Sequence, residues 1–234
     1  MDSAHNQYHQ AEANLDSLLP FAQGANRFCF QHPDNPDRCL KVIRPGSIQA
    51  RYQKQSVVKR LLGKARLNDN TQELRAHQQP AIRRLIQTGN EESLWSHLPK
   101  FYGRVATTLG PANESEMLRC KDGNIAPTLE FLIRGGGLTP ELLEAIQRFE
   151  NWLTANRILT RNLLPHNLVV TDRTGQPELF LVDGLGAPAI PLALASAPGW
   201  SERYIERKIR RFEKRLAWEQ DSQGHSWEDF QRLR

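Results

Sequence analysis

The sequence predicts an α+β fold of two lobes, with a five-strand antiparallel sheet in the first and a short, mostly helical second. Three observations predict it. Short apolar runs bounded by turn residues fill the chain up to Ile133, which is the pattern of strands and reversals. A triple glycine, Gly135 to Gly137, marks where those runs give way to helical periodicity. Beyond it stand one amphipathic helix, one hairpin pattern and one long basic helix.

Each element has its own signal. "LLPFAQG", "NRFCF" and "RCLKVIR" read as three short strands, the last two joined by the turn-rich "HPDNPD". Residues 49–66 read as a basic helix, and 71–88 as a second helix broken or kinked at Pro80. "KFYGRVATT" and "TLEFLIR" supply two further strands, with another short one possible at "EMLRC". In "LTPELLEAIQRFENWLTANR", Thr139 is the expected N-cap, Pro140 the first helical residue, and Leu142, Ile146, Phe149 and Leu153 the buried stripe. "NLVV" and "ELFLVD" flank the turn "TDRTGQP" as a hairpin, and "SERYIERKIRRFEKRL" is the basic helix, with seven Lys or Arg against three Glu. The implied organisation is a flexible arm at 1–17, a first lobe at 18–134, a second at 135–216 and a tail at 217–234.

Composition narrows the class. At 234 residues, 39% hydrophobic and 24% charged, this is a globular chain long enough to bury a core without staples. No apolar run reaches the roughly 18 residues that a membrane helix needs. The opening "MDSAHNQYHQAEANLD" has neither Lys nor Arg nor an apolar core, so a cytoplasmic location is expected. Cys29, Cys39 and Cys120 form no C-x-x-C, which argues against a zinc site and a disulfide framework. A net charge of +5 favours an anionic partner.

Chemistry gathers at a few positions. Lys41 lies in an apolar strand, Glu73 on a helix and Gly24 in a turn, and each alone has an ordinary explanation. Lys41 alone reads as a solvated strand residue. Asn167 and Asp183 flank the hairpin, so it brings both to one end, where an amide and a carboxylate suit Mg²⁺ over nucleotide phosphates. Glycine turn, strand Lys, helix Glu, five strands, helix, "RNLLPHN" loop and a hairpin ending "LVDGLG" follow the order of a protein kinase.

On "GANRFCFQHPDNPDRCLKV", "RILTRNLLPHNLVV" and "LFLVDGLGAP", the chain resembles the PhoP regulatory network protein family of the YrbL type, within the protein-kinase-like superfamily. The resemblance implies a compact kinase-like fold, bound ATP and Mg²⁺, and a place in a bacterial network answering low magnesium and envelope stress. It also implies roles. Gly24 and Asn26 match the phosphate-covering turn, Lys41 the phosphate-pairing Lys and Glu73 its partner on the helix. Glu130 to Ile133, Leu132 among them, match the adenine hinge. Arg161, Pro165 and Asn167 match the catalytic loop, and Asp183 with Gly186 the metal-binding turn.

Two departures stand out. Thr160 and Asn162 occupy the places of a kinase's loop His and base Asp, and Leu164 that of the following Lys. An amide orients a hydroxyl but accepts no proton at neutral pH. His166 and Asp122 remain as substitute bases. The resulting expectations are an atypical phosphotransferase acting on a protein or envelope-sugar acceptor, or a pseudokinase that binds nucleotide without turnover and signals to a protein partner. A third is a polyanion or membrane-surface binder using the basic stretches 51–66 and 203–215, with nucleic acid disfavoured because neither stretch interleaves aromatics.

Overall fold

The computed structural model describes residues 12–187, 198–220 and 226–227. It has the expected α+β class and groups into two compact units. One joins the chain up to Gln72 with Phe101–Met117, and the other joins Glu73–Lys100 with the chain from Leu118 onward.

The first unit is built on five antiparallel strands. They are β1 (Ala22–Gln23), β2 (Arg27–His32), β3 (Asn35–Ile43), β4 (Phe101–Val105) and β5 (Ala112–Glu116), in the order β1-β2-β3-β5-β4. Phe30, Leu40, Val42 and Ala112 pack its core together with Ala13 and Leu15. Of the flexible arm expected at 1–17, Ala13 and Leu15 are packed rather than flexible. Ala13 pairs with Thr107, and the Ala13 amide donates to the Ala106 carbonyl at 3.0 Å. Residues 1–11 of the arm lie outside the described residues.

Strand β5 is the second correction. The expected fifth strand, "TLEFLIR", is instead helical over Leu129–Gly136, and "ANESE" forms β5 with four of its five residues buried. A polar strand hides well from periodicity. Its Asn113 side-chain N–H donates to the Asn70 carbonyl at 2.9 Å, and the Glu114 carboxylate takes Arg38 at 2.9 Å, so both side chains find partners inside the unit.

The connections between β3 and β4 are helical. The single helix expected at 49–66 is two short ones, α1 (Ser47–Gln53) and α2 (Val57–Arg60), and Gly63 follows at φ +77°. Helix α3 (Asp69–Ala76) ends before Pro80, which opens α4 (Pro80–Gln87), so the expected break falls where the ring removes a backbone donor. A further helix, α5 (Glu91–Trp95), precedes β4.

In the second unit, α6 (Leu129–Gly136) begins at Thr128, whose hydroxyl accepts from the Phe131 amide. Helix α7 (Pro140–Asn156) begins as its sequence predicts, with Thr139 accepting from Leu142 N–H at 3.3 Å. Phe149 and Leu153 on its inner face are fully buried, and Leu142 and Ile146 nearly so. The hairpin β6 (Leu168–Thr171) and β7 (Glu178–Leu181) packs on it, and α8 (Pro198–Gln220) closes the core through Ile205, Phe212 and Leu216. The units part at Gln72, Lys100 and Met117 rather than at the glycine run, because α6 packs with the helical core. Residues 217–220 of the expected tail continue α8.

Candidate functional site

The loop between α7 and β6 and the turn after β7 form one hydrogen-bonded assembly. Leu168 pairs with Leu181, and one step outward Val182 N–H donates to the Asn167 carbonyl at 2.9 Å. Asn167 and the residue before Asp183 are therefore opposite each other at one end of the hairpin.

The turn itself is fixed by the Gly184 carbonyl. It accepts from the Thr160 hydroxyl at 2.8 Å, from Arg161 N–H at 2.7 Å and from Asn162 N–H at 3.3 Å. Gly186 N–H donates to the Leu159 carbonyl at 2.8 Å, and Thr160 bridges Leu185. Both glycines are required. Gly184 has φ +82°, and a Cβ there would overlap the Asn162 carbonyl oxygen and come 3.1 Å from its carbon. Gly186 has φ +103°, and a Cβ there would meet Ala76 at 2.8 Å.

Asn167 is 8% exposed and its side-chain amide donates to the Asn162 carbonyl at 2.9 Å. Spending the nitrogen inward leaves Oδ1 as the acceptor facing elsewhere. Asp183 is exposed, and one carboxylate oxygen accepts Gly184 N–H at 2.6 Å. An amide oxygen and a carboxylate at one hairpin end are the hard donors that Mg²⁺ takes. Among the described residues no group of three or more His, Cys, Asp or Glu could hold a metal, so a cation here would need phosphate or water oxygens to complete its shell.

Asn162 is exposed, so its side chain is free of the packing that fixes its carbonyl. Arg161 is bound along the turn, with Nε 3.4 Å from the Leu185 carbonyl. His166 turns toward α6, its Nδ1 3.8 Å from Glu130. Asp122 is bound to the Asn124 backbone N–H at 2.9 Å and to its side chain at 2.7 Å. Those bonds hold its carboxyl below the ordinary value, which suits a structural acceptor rather than a base.

The adenine-hinge assignment is corrected. Glu130 and Leu132 are helical, and the Leu132 amide that a hinge would offer donates to the Thr128 carbonyl at 3.2 Å. Glu130 instead pairs with Arg134 at 3.1 Å and lies 4.0 Å from Arg215, while Glu219 takes Arg215 at 2.7 Å. This is an ion-pair network joining α6 to α8.

In the sheet unit, Lys41 sits between Cys29 and Asn113 and is 6% exposed, so it is no solvated strand residue. Its carbonyl accepts Asn70 at 2.8 Å. The carbonyls of Gly24 and Asn26 accept the Arg44 guanidinium at 3.0 Å and the Arg44 amide at 2.8 Å, which fixes the turn before β2. Glu73, 8% exposed on α3, belongs to the other unit, which begins at that residue.

Two contributors, Tyr204 and Lys208, escaped the sequence, as did the turn-holding role of Thr160. Thr160, fully buried, does the turn-holding. Tyr204 donates to the Thr160 carbonyl at 3.0 Å and Lys208 to that of Arg161, so α8 braces the loop from behind. Burial pushes the Tyr204 hydroxyl up to about 12 and, with Arg211, Arg207 and Arg161 nearby, lowers Lys208. Their i,i+4 spacing on α8 is the signal that marks one shared face.

Comparison with known proteins adds the family. The one described as PhoP regulatory network protein YrbL matches residues 14–219. The chain is 26% identical over 208 residues to YrbL of Escherichia coli (strain K12), covering 86% of this chain and 85% of that one, and equally similar to YrbL of Shigella flexneri. Among solved structures, a mutant form of the Mycobacterium tuberculosis PknI kinase domain is 16% identical with a TM-score of 0.48, over 84% of this chain and 71% of that one. The CAK complex of Chaetomium thermophilum bound to ATP-gamma-S gives 16% and 0.38, over 82% and 61%.

Proposed function

The chain belongs to the PhoP regulatory network protein YrbL family, and on that footing we propose that it is an ATP- and Mg²⁺-binding kinase-like regulator whose signal is nucleotide occupancy rather than rapid turnover. The observation that carries this reading is the bond from Asn167 to the Asn162 carbonyl. It ties the Asn167 side-chain amide to a main-chain carbonyl, which supports Oδ1 as a metal ligand without calling on the Asn162 side chain.

Asn167 and Asp183 would hold Mg²⁺, which when bound supplies charge neutralisation to nucleotide phosphates. The chain's own residues do the rest. Thr160, Gly184 and Gly186 keep the turn rigid. Asn162 orients a hydroxyl without accepting its proton. Base catalysis is worth about 10²–10⁴ in rate, so its loss favours binding over turnover.

A second reading, an atypical phosphotransferase acting on a protein or envelope-sugar acceptor, draws support from the intact turn. Phosphoryl transfer depends mainly on positioning and electrostatics, which a missing base leaves in place. Titration calorimetry with ATP, with and without Mg²⁺, tests the proposal: Mg²⁺-dependent heat is expected, and its absence refutes both readings. Incubation with labelled ATP separates them, since label transfer that is lost in Asp183→Asn belongs to an enzyme.

A further inference from the structure

The chain carries an apolar surface that neither unit's core uses. Val57, Val58, Leu61 and Leu62 are 75, 74, 83 and 68% exposed, and α2 buries none of its residues. Single exposed aliphatics are ordinary, but four within six positions are not. Helical spacing puts them on one side of a single projecting turn.

Cations surround that turn without acids to match. From Arg51 to Arg66 the chain has Lys54, Lys59, Arg60 and Lys64 and no Asp or Glu. Among the described residues, Arg51 is the one cation of the segment paired with an acid, Asp69 at 2.7 Å. Arg60 and Arg66 bond inward to main-chain carbonyls, Arg60 to Gln55 at 3.0 Å and Arg66 to Lys59 at 2.9 Å. Those bonds brace the segment and leave its charge uncompensated. Lys54, Lys59 and Lys64 are exposed around the aliphatic tips.

We propose that residues 54–66 are a membrane-docking knob, which sets Val57, Val58, Leu61 and Leu62 at the headgroup boundary of an anionic bilayer while the three lysines meet lipid phosphates. The geometry selects this occupant over two others. A nucleic-acid platform interleaves aromatics for stacking, and the one aromatic here, Tyr52, is 5.2 Å from the Lys64 ammonium. A protein groove that receives a helix reads anchors over two or more turns, and α2 has four residues. A bilayer requires only apolar area and net positive charge together. The knob shares no residue with the Asn167 and Asp183 site, so the two assignments stand or fall separately.

Vesicle sedimentation of the full chain is the test, with phosphatidylcholine alone and with about one third phosphatidylglycerol added. Pelleting with the anionic vesicles is expected, and little with the neutral ones. Leu61→Ser with Leu62→Ser should weaken anionic binding at least about tenfold, as should Lys54→Glu with Lys59→Glu. Arg210→Glu with Arg211→Glu, on α8, should leave it within about twofold. An unchanged melting midpoint shows that the serine variant is folded, and if it is not, the lysine pair carries the test. No pelleting with anionic vesicles overturns the proposal, as does wild-type binding in both knob variants. A wild-type dimer that the serine substitutions dissociate, without vesicle binding, would assign the knob to a protein interface and overturn it too.

Discussion

The Asn162 carbonyl accepts the side-chain amide of Asn167 at 2.9 Å, so the main chain at the position where the family resemblance expects a base holds in place the residue proposed for the metal. Loop architecture and proton-transfer chemistry are thereby separable. The first is built from backbone groups and a buried threonine, and the second, in the proposed reading, would fall to the exposed side chain of Asn162.

Gly184 sets the strictest demand on that architecture. Gly184→Ala forces a left-handed φ and a backbone overlap at Asn162, and should cost about 2–4 kcal/mol, combining strain with displaced hydrogen bonds. Urea unfolding measures it. Gly135→Ala is the control, since it lies within α6 with open space at its Cβ and should be neutral or stabilising by about 0.5–1 kcal/mol.

Thr160→Val keeps the shape and deletes the donor to the Gly184 carbonyl. Stability should fall by about 1–2 kcal/mol because a buried acceptor loses a partner, and Thr160→Ser should recover most of it. The same variant should weaken Mg²⁺-nucleotide binding, and denaturant and titration curves read the two effects separately.

Asn162→Asp should restore a proton acceptor without disturbing the fold, because only the main chain of Asn162 serves the turn. Hydrolysis or transfer of labelled ATP should rise by about 10²–10⁴. No rise would place the missing chemistry elsewhere, with Leu164 the next position to change.

Glu150, 7% exposed on α7, has its carboxyl pushed up to about 7 by burial and then by Glu213. A raised folded value means that the folded state holds the proton while the unfolded chain, titrating near 4.5, has lost it. Stability from this group is therefore full below about 4.5 and is lost as pH rises to about 7. His97 opposes it: burial lowers its folded value, so its share is lost as pH falls below about 6.5. The difference in melting midpoint between Glu150→Gln and wild type isolates Glu150. It should widen in favour of the variant across that window and stay level above it.

The fold was legible where one pattern dominated. Thr139 and Pro140, the stripe from Leu142 to Leu153, Pro80 and the hairpin all followed from local rules. It was illegible where tertiary partners supply what the sequence lacks. "ANESE" is accommodated as a strand because Asn70 and Arg38, from other elements, take the Asn113 side-chain N–H and the Glu114 carboxylate, and "TLEFLIR" is a helix because Thr128 caps it and its apolar run suits either form. Ala13 and Leu15 look like arm residues until the sheet offers them a core. At the candidate site, the hairpin's geometry was readable from Asn167 and Asp183, while Tyr204 and Lys208 lie too far along the chain for spacing to connect them with the loop.

The most direct test of the central claim is the melting midpoint of the wild-type chain and of Asp183→Asn, each titrated with ATP in the presence and absence of Mg²⁺. Binding predicts a wild-type shift that needs both ligands and grows with concentration, equivalent to about 2.7 kcal/mol at a hundredfold excess over Kd, and no shift in Asp183→Asn. An unshifted wild type, or an equal shift in the variant, would contradict it.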